Sequence, residues 1–286
     1  MHTTTDVVTR PELNAKCTTP YVPGGDPVCC ASDFTLEEIK TLCAKMDSND
    51  SSATDATGYI GGVADYRTTM YSYECPKVPT HMESIELIKD WGAKFTPELK
   101  TPQVVMPYEG TYTQEDYAQQ MIDEYVEAGV DQSNVWPQSF LWDDVVYWNS
   151  NTDFKQSVAL VGTYGDYYIS AEAFDSKVAD IKAAGVSYMA PPFWMLLDLD
   201  GMGEMTMSNY ASLIKEHGFD IITWTLERSG PLTTGGGNYY FGINDVIDRD
   251  GNQFEVLQAL HEIVGIVGIF SDWPATTTFY ANCMGL

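Results

Sequence analysis

The sequence predicts an α/β chain on a parallel sheet, read as a (β/α)8 TIM barrel that is incomplete, with about six of eight strands present. Three observations lead there. From residue 80 onward, amphipathic helices alternate with short apolar runs. Four of those helices close on a glycine, at Gly92, Gly129, Gly185 and Gly218. Repeated strand–helix units need long crossovers, which join parallel strands rather than hairpins. A closed eight-stranded barrel takes roughly 250 residues, so two units are missing from the count. An open doubly wound sheet needs only about six strands. It is the structural alternative, but no glycine-rich fingerprint follows a first strand and no switch point is visible.

The elements follow in order. Residues 1–80 read as irregular, with Pro20, Pro23, Gly24, Gly25 and Pro27 and a polar run over 48–57. One helix stands out there, over 34–43, capped by Ser32 or Asp33. This segment reads as a disulfide-rich insertion, without a core of its own. Residues 81–286 read as the C-terminal part of the barrel. Thr80 opens a helix that Gly92 ends, before a strand over 93–99. A helix over 114–128 precedes a strand over 135–140. A short helix over 142–149 precedes a strand over 158–161. A helix over 171–184 precedes a strand over 186–190. A helix over 208–217 precedes a strand over 219–226. The last helix, 253–264, precedes a strand over 265–271.

The 286 residues are 44% hydrophobic, enough for one sizeable core, and no apolar run is long enough to span a membrane. Net charge is −26, which disfavours nucleic acid and anionic headgroups as partners. Five of the six cysteines, Cys17, Cys29, Cys30, Cys43 and Cys75, precede residue 76, and Cys283 stands alone near the end. None shows paired zinc spacing, so two or three disulfides and an oxidising compartment are expected, with the pairing open. Asn49-Asp50-Ser51 is a glycosylation sequon. Secretion needs a signal peptide, yet the chain starts Met1-His2-Thr3-Thr4 with no basic start or apolar stretch.

In a barrel, the C-terminal strand ends face the active site. The first end reads Phe95-Thr96-Pro97-Glu98-Leu99-Lys100. Alternation puts Glu98 and Lys100 on one side, where the carboxylate suits a hard cation and the ammonium a phosphoryl oxygen. A plain barrel-end salt bridge explains the same spacing. The second end is Gln138-Ser139-Phe140, and Ser139 lacks the glycines of a nucleophile elbow. The fifth brings Trp224 and Glu227, the sixth Asp272 and Trp273. Asp248-x-Asp250-x-Asn252 and Asp198-x-Asp200-Gly201 fail the calcium-loop pattern, and Gly235-Gly236-Gly237 lacks phosphate-loop spacing.

Together these strand ends resemble the glycerophosphodiester phosphodiesterase family. The resemblance rests on Val78-Pro79-Thr80 through Glu98-Leu99-Lys100, on Gln138-Ser139-Phe140, on His217-Gly218 through Trp224-Thr225, and on Gly268 to Pro274, over about 200 residues. It implies a TIM barrel hydrolysing glycerophosphodiesters to glycerol 3-phosphate and an alcohol. It also implies a divalent cation, calcium or magnesium, with Glu98 as one ligand. Lys100 would contact the phosphate, Trp224 would flank the glycerol or phosphate pocket, and Gln138 would bind substrate. The family's His-Arg, Glu-x-Asp and His-Asp motifs are not found in this chain. No catalytic residue is therefore assigned, and the acid–base histidines are expected upstream of Met1, together with the missing strands and signal peptide. His2 lies in a segment that resembles the one just downstream of the family's second histidine and is not read as that histidine, while His81, His217 and His261 read as surface or capping residues. Negligible hydrolysis by this chain is the corollary. Two other readings are a non-catalytic binding barrel and a secreted glycosidase using Glu98 and Glu227.

Overall fold

The computed structural model describes residues 1–67, 74–162 and 164–286. The chain divides into two compact units. One is Met1–Leu87 with Pro102–Tyr108, the other Ile88–Thr101 with Glu109–Leu286.

The first unit is mostly loop and short turns. Contrary to the sequence reading, it has a small core of its own, where Val7, Val8, Tyr21, Leu42 and Tyr59 bury around the Cys17–Cys29 disulfide. Those residues sit in loops and in isolated helical turns too short to show a period, so no sequence pattern announced them. A second disulfide, Cys43–Cys75, closes a separation of 32 residues, while Cys30 and Cys283 are thiols. With little secondary structure, the carbonyls here need other donors. Lys45 supplies one, its ammonium donating to the carbonyls of Thr3, Met46 and Ser48 at 2.7–2.8 Å. Helix α1 (Leu36–Thr41) is capped by Thr35, not by Ser32 or Asp33. The Thr35 hydroxyl accepts the Glu38 N–H while the Glu38 carboxylate accepts the Thr35 N–H. Asp33 instead accepts from the Thr18 and Cys30 backbone, and Phe34 is extended, which breaks the helix before it starts. Helix α2 (His81–Asp90) begins with the same device, Thr80 and Glu83 exchanging backbone bonds.

The second unit carries the sheet. Strands β1 (Gln138–Ser139), β2 (Val158–Leu160), β3 (Tyr188–Ala190), β6 (Asp220–Leu226) and β7 (Gly268–Ser271) pair in that order, all parallel. Strands β4 (Leu197–Leu199) and β5 (Met205–Met207) form a separate antiparallel hairpin. The sequence reading missed this hairpin. Its turn is Asp200-Gly201, whose aspartate accepts the Met202 and Glu204 N–H groups. The segment expected as a strand over 93–99 makes only two isolated parallel bridges, Phe95 to Val135 and Glu98 to Gln138. Pro97 lacks an N–H and cannot donate to a ladder, which explains the interruption. Its carbonyl still accepts the Gln138 N–H at 2.9 Å, so the segment lies along β1 as an edge.

Helices α3 (Gln114–Glu127), α4 (Trp142–Asn151), α5 (Ala171–Ala183), α6 (Asn209–Glu216) and α7 (Asn252–Ala259) fall where the alternation placed them. The final turns of the last expected helix, Leu260–Val264, are π-helical. Helix α8 (Pro274–Met284) was not foreseen. Three consecutive threonines obscure its period, although Pro274 at its first turn is a helix-start signal. Among the described residues, no helix is long and apolar enough to cross a membrane.

In register, neighbours across a parallel sheet point to one face. Trp136, Val158, Leu160, Tyr188, Ala190, Ile222 and Trp224 form one such face and pack together. Ala159, Met189 and Ile221, on the other face, are wholly buried. A parallel sheet covered on both sides is what helical crossovers produce. The sheet is strongly curled. Phe140, directly after β1, meets Trp224 on β6 edge-to-face at 6.2 Å, across the two intervening strands β2 and β3.

Candidate functional site

The curl gathers the C-terminal ends of the strands into one mouth. The bridge Glu98 to Gln138 and the pairing Gln138 to Val158 put Glu98 in the row of the Val158 face. Lys100 and Phe140 follow two residues on, and Trp224 stands on the same face of β6. So the lysine, the glutamate and the two aromatic side chains share one side of the sheet.

Glu98 and Lys100 bind each other, Nζ to Oε2 at 2.7 Å. The carboxylate side chain is 23% exposed and the ammonium 77%, so the pair is anchored below and open above. An ion pair this exposed adds about 1 kcal/mol or less to stability, so it is cheap to rearrange toward a ligand. Gln138 is buried and its amide donates to the Thr96 carbonyl at 3.2 Å, holding the edge segment against β1. Trp224 is half-buried. Its indole N–H donates to the Ala190 carbonyl at 2.9 Å, which fixes the ring. Tyr239 lies against it at 6.2 Å.

Beyond β6 the chain turns sharply. Glu227 has φ +64, a conformation costly for a residue with a side chain. Its carboxylate accepts the Ser271 hydroxyl at 2.8 Å and the Trp273 N–H at 3.2 Å, fastening the β6 end to the β7 end. Beside it, the Arg228 guanidinium lies 3.9 Å from Asp272. Sequence reasoning singled out Glu227 and Asp272 but passed over Arg228. The signal was present: it is one of 15 bases in a chain of net charge −26, placed at a strand end.

The remaining expected or rejected groups have structural employment. Ser139 is fully buried and donates to Asp144 at 2.8 Å. His217 donates from Nδ1 to the Leu213 carbonyl, 2.9 Å away, at the end of α6, the opposite end of the sheet from the mouth. His2 meets the Tyr59 hydroxyl at 2.9 Å within the first unit. A cleft of about 430 Å³ adjoins the ends of β1 and β2, lined by Phe140, Trp142, Gly162, Asp166 and Lys177. Lys177 pairs with Asp166 there and lies 5.2 Å over the Trp142 ring. A larger cavity of about 550 Å³, near Val130 and Phe154, sits at the N-terminal strand ends, away from the mouth.

A divalent cation of the kind the resemblance implies needs several oxygen ligands at about 2.0–2.6 Å. Among the described residues no three His, Cys, Asp or Glu side chains converge. The seven residues outside the described ranges, Thr68, Thr69, Met70, Tyr71, Ser72, Tyr73 and Thr163, add none of these types. Glu98 is a single carboxylate already facing an ammonium. The donor set does not fit a calcium or magnesium centre.

Two carboxyls in this unit are raised by burial. Burial pushes Asp144 up against the lowering bonds from Gln114 and Ser139, and burial likewise pushes Glu227 up. A folded value above the unfolded one gives stability that is complete below the unfolded pKa, near 4, and lost as pH rises through the folded value. Acidification from pH 7.5 also relieves repulsion in a chain of −26. Opposing this, Asp116 and Asp131 are held low by hydrogen bonds from Thr113 and Ser133, which is stability lost as pH falls below about 4. The melting temperature is therefore expected to rise as pH falls from 7.5 and to drop again once the pH passes below about 4, with Asp144→Asn flattening the neutral limb. A melting curve that is highest at pH 8 contradicts the assignment.

No family model matches the chain. A curated relative, an extracellular protein of Arthroderma benhamiae, is 40% identical over 245 residues, covering 84% of this chain and all of that one. The chain belongs to that protein's family. Solved structures give its fold. A protein of Silicibacter pomeroyi assigned as a glycerophosphoryl diester phosphodiesterase superposes with a TM-score of 0.56 at 18% identity, covering 96% of this chain and 76% of that one. One of Agrobacterium tumefaciens, assigned likewise, gives 0.51 at 14% identity, covering 88% and 73%. The resemblance read from the strand ends is thus a resemblance of fold. The family member is glycerophosphodiester phosphodiesterase-like in architecture, with a parallel α/β sheet.

Proposed function

We propose that this protein is secreted and that its strand-end mouth binds a small glycerophosphodiester. The observation that carries the reading is the placement of Lys100, Glu98, Phe140 and Trp224 on one face of the sheet, at the ends of its strands, in this fold. Lys100 offers its exposed ammonium to a phosphoryl oxygen while Glu98 positions it from below. Trp224, fixed by Ala190, presents an apolar wall to the glycerol or phosphate portion. Gln138 acts on the ligand through the edge segment, by setting where Glu98 and Lys100 stand. Two disulfides support an oxidising compartment, and the Arthroderma relative is named an extracellular protein. The phosphodiester chemistry of the fold's namesakes supports the ligand class. Hydrolysis is not part of the reading, because among the described residues the mouth holds neither the cation ligands nor the imidazoles for it.

Titration with sn-glycero-3-phosphocholine, followed by calorimetry and phosphorus NMR, tests this. Lys100→Ala and Trp224→Ala are each expected to weaken binding about tenfold, some 1.4 kcal/mol. Lys100→Ala with undiminished affinity removes the phosphodiester assignment. The glycosidase alternative predicts that result, but Glu98 and Glu227 are each engaged elsewhere, one with Lys100 and one with Ser271 and Trp273.

A further inference from the structure

We infer that the mouth recognises its phosphodiester through two carboxylate-tethered side-chain cations, Lys100 and Arg228, and without a divalent metal ion. The inference rests on the binding reading above and deepens it. Three observations carry it. Among the described residues no three His, Cys, Asp or Glu side chains come together, and none of the other seven residues is of these types. Glu98 is the one carboxylate of the expected ligand set, and a hard cation needs several such oxygens. And the opposite rim of the mouth repeats the arrangement, with Arg228 beside Asp272 at 3.9 Å.

The two rims are joined by the aromatic side chains. Glu98 bridges Gln138, Phe140 follows β1 and meets Trp224, Trp224 meets Tyr239, and Tyr239 lies in the field of Arg228. Burial raises the Tyr239 hydroxyl pKa and the guanidinium opposes it, which places that positive charge at the same opening. A guanidinium presents paired donors that match two phosphate oxygens, and an ammonium adds a third contact as a point charge. Elsewhere the chain, at −26, repels an anion. Two tethered cations at one mouth are then what makes a monoanionic diester welcome there. Their own carboxylates prevent a standing excess of positive charge when the mouth is empty.

The test uses the full chain and sn-glycero-3-phosphocholine, titrated in excess EDTA and again in excess calcium chloride, with calcium alone as a third titration. Equal affinity in the two media, within about twofold, is expected, with a steep loss on adding sodium chloride. Arg228→Gln and Lys100→Gln should each lose about tenfold, and Arg228→Lys should keep part of the affinity. Near-ultraviolet circular dichroism reports whether each variant is folded, and the salt series on the unaltered chain reads the same charges if one is not. Calcium raising affinity about tenfold or more, with Glu98→Gln abolishing the gain, overturns the inference and leaves the binding reading standing. Unchanged affinity in folded Arg228→Gln overturns the role of the second cation. No binding in either medium overturns both readings together.

Discussion

Glycerophosphocholine incubated with the purified 286-residue chain is expected to break down at its uncatalysed rate, with calcium or magnesium added or withheld. The expectation follows from what stands at the strand ends. Phosphodiester hydrolysis by proton transfer needs an acid on the leaving oxygen and a base on the attacking one. Each such group contributes typically 10²–10⁴-fold, so losing both removes roughly 10⁴–10⁸ if they act independently. In the sheet-bearing unit His217 lies at the far end of the sheet and His261 within the helix preceding β7. In the first unit, His2 is tied to Tyr59 and His81 opens a helix. Ser139, the hydroxyl beside Gln138, is buried and bonded to Asp144. Glu227, whose raised pKa would suit an acid, is committed to Ser271 and Trp273. Phosphorus NMR over days, against buffer and against the Lys100→Ala chain, reads the outcome. Release of glycerol 3-phosphate by the unaltered chain, absent in that variant, would show proton-transfer groups that the arrangement of these side chains does not reveal.

Sequence conveyed some of this molecule and not the rest, for physical reasons. The helices over 114–127, 142–151 and 171–183 were legible because each has a periodic apolar face. The first and the last of them are also bounded by a capping hydroxyl and a following glycine with positive φ. Strands were legible as apolar runs but not in length. Pairing partners, not composition, decide where a ladder begins, and Pro97 interrupts one that reads as continuous. The core around Tyr21 and Tyr59 was invisible because a disulfide, loop residues and isolated helical turns assemble it without a sustained period. At the site, the spacing of Glu98 and Lys100 put both on one face, and they touch. Arg228 was passed over because its partner Asp272 lies far along the chain, at the neighbouring strand's end, and only the fold brings the two together. Gln138 shows the converse. A polar residue in a strand-end motif suggested direct contact with ligand, while its amide serves the backbone of the next segment.

Replacing Trp148 with alanine is expected to cost the sheet-bearing unit about 3–5 kcal/mol, more than any of the substitutions at the mouth. Trp148 is wholly buried on α4, and its indole N–H donates to the Ala118 carbonyl on α3 at 2.9 Å. Two further hydrogen bonds tie these helices. Gln114 donates to Asp144 at 2.9 Å on one side, and the Tyr147 hydroxyl donates to Gln119 at 2.8 Å on the other. An indole buries roughly 150–250 Å², so truncation leaves a void that two packed helices cannot close. Trp148→Phe separates the causes. It keeps most of the volume and removes the N–H, and is expected to cost about 1–2 kcal/mol, the scale of a lost bond plus imperfect filling. Because α4 begins three residues after β1, loosening it also loosens Phe140, so the alanine variant should weaken glycerophosphocholine binding more than the phenylalanine variant does. Equilibrium urea unfolding gives the stabilities, and equal losses in the two variants would mean that the hydrogen bond, not the packing, holds α3 and α4 together.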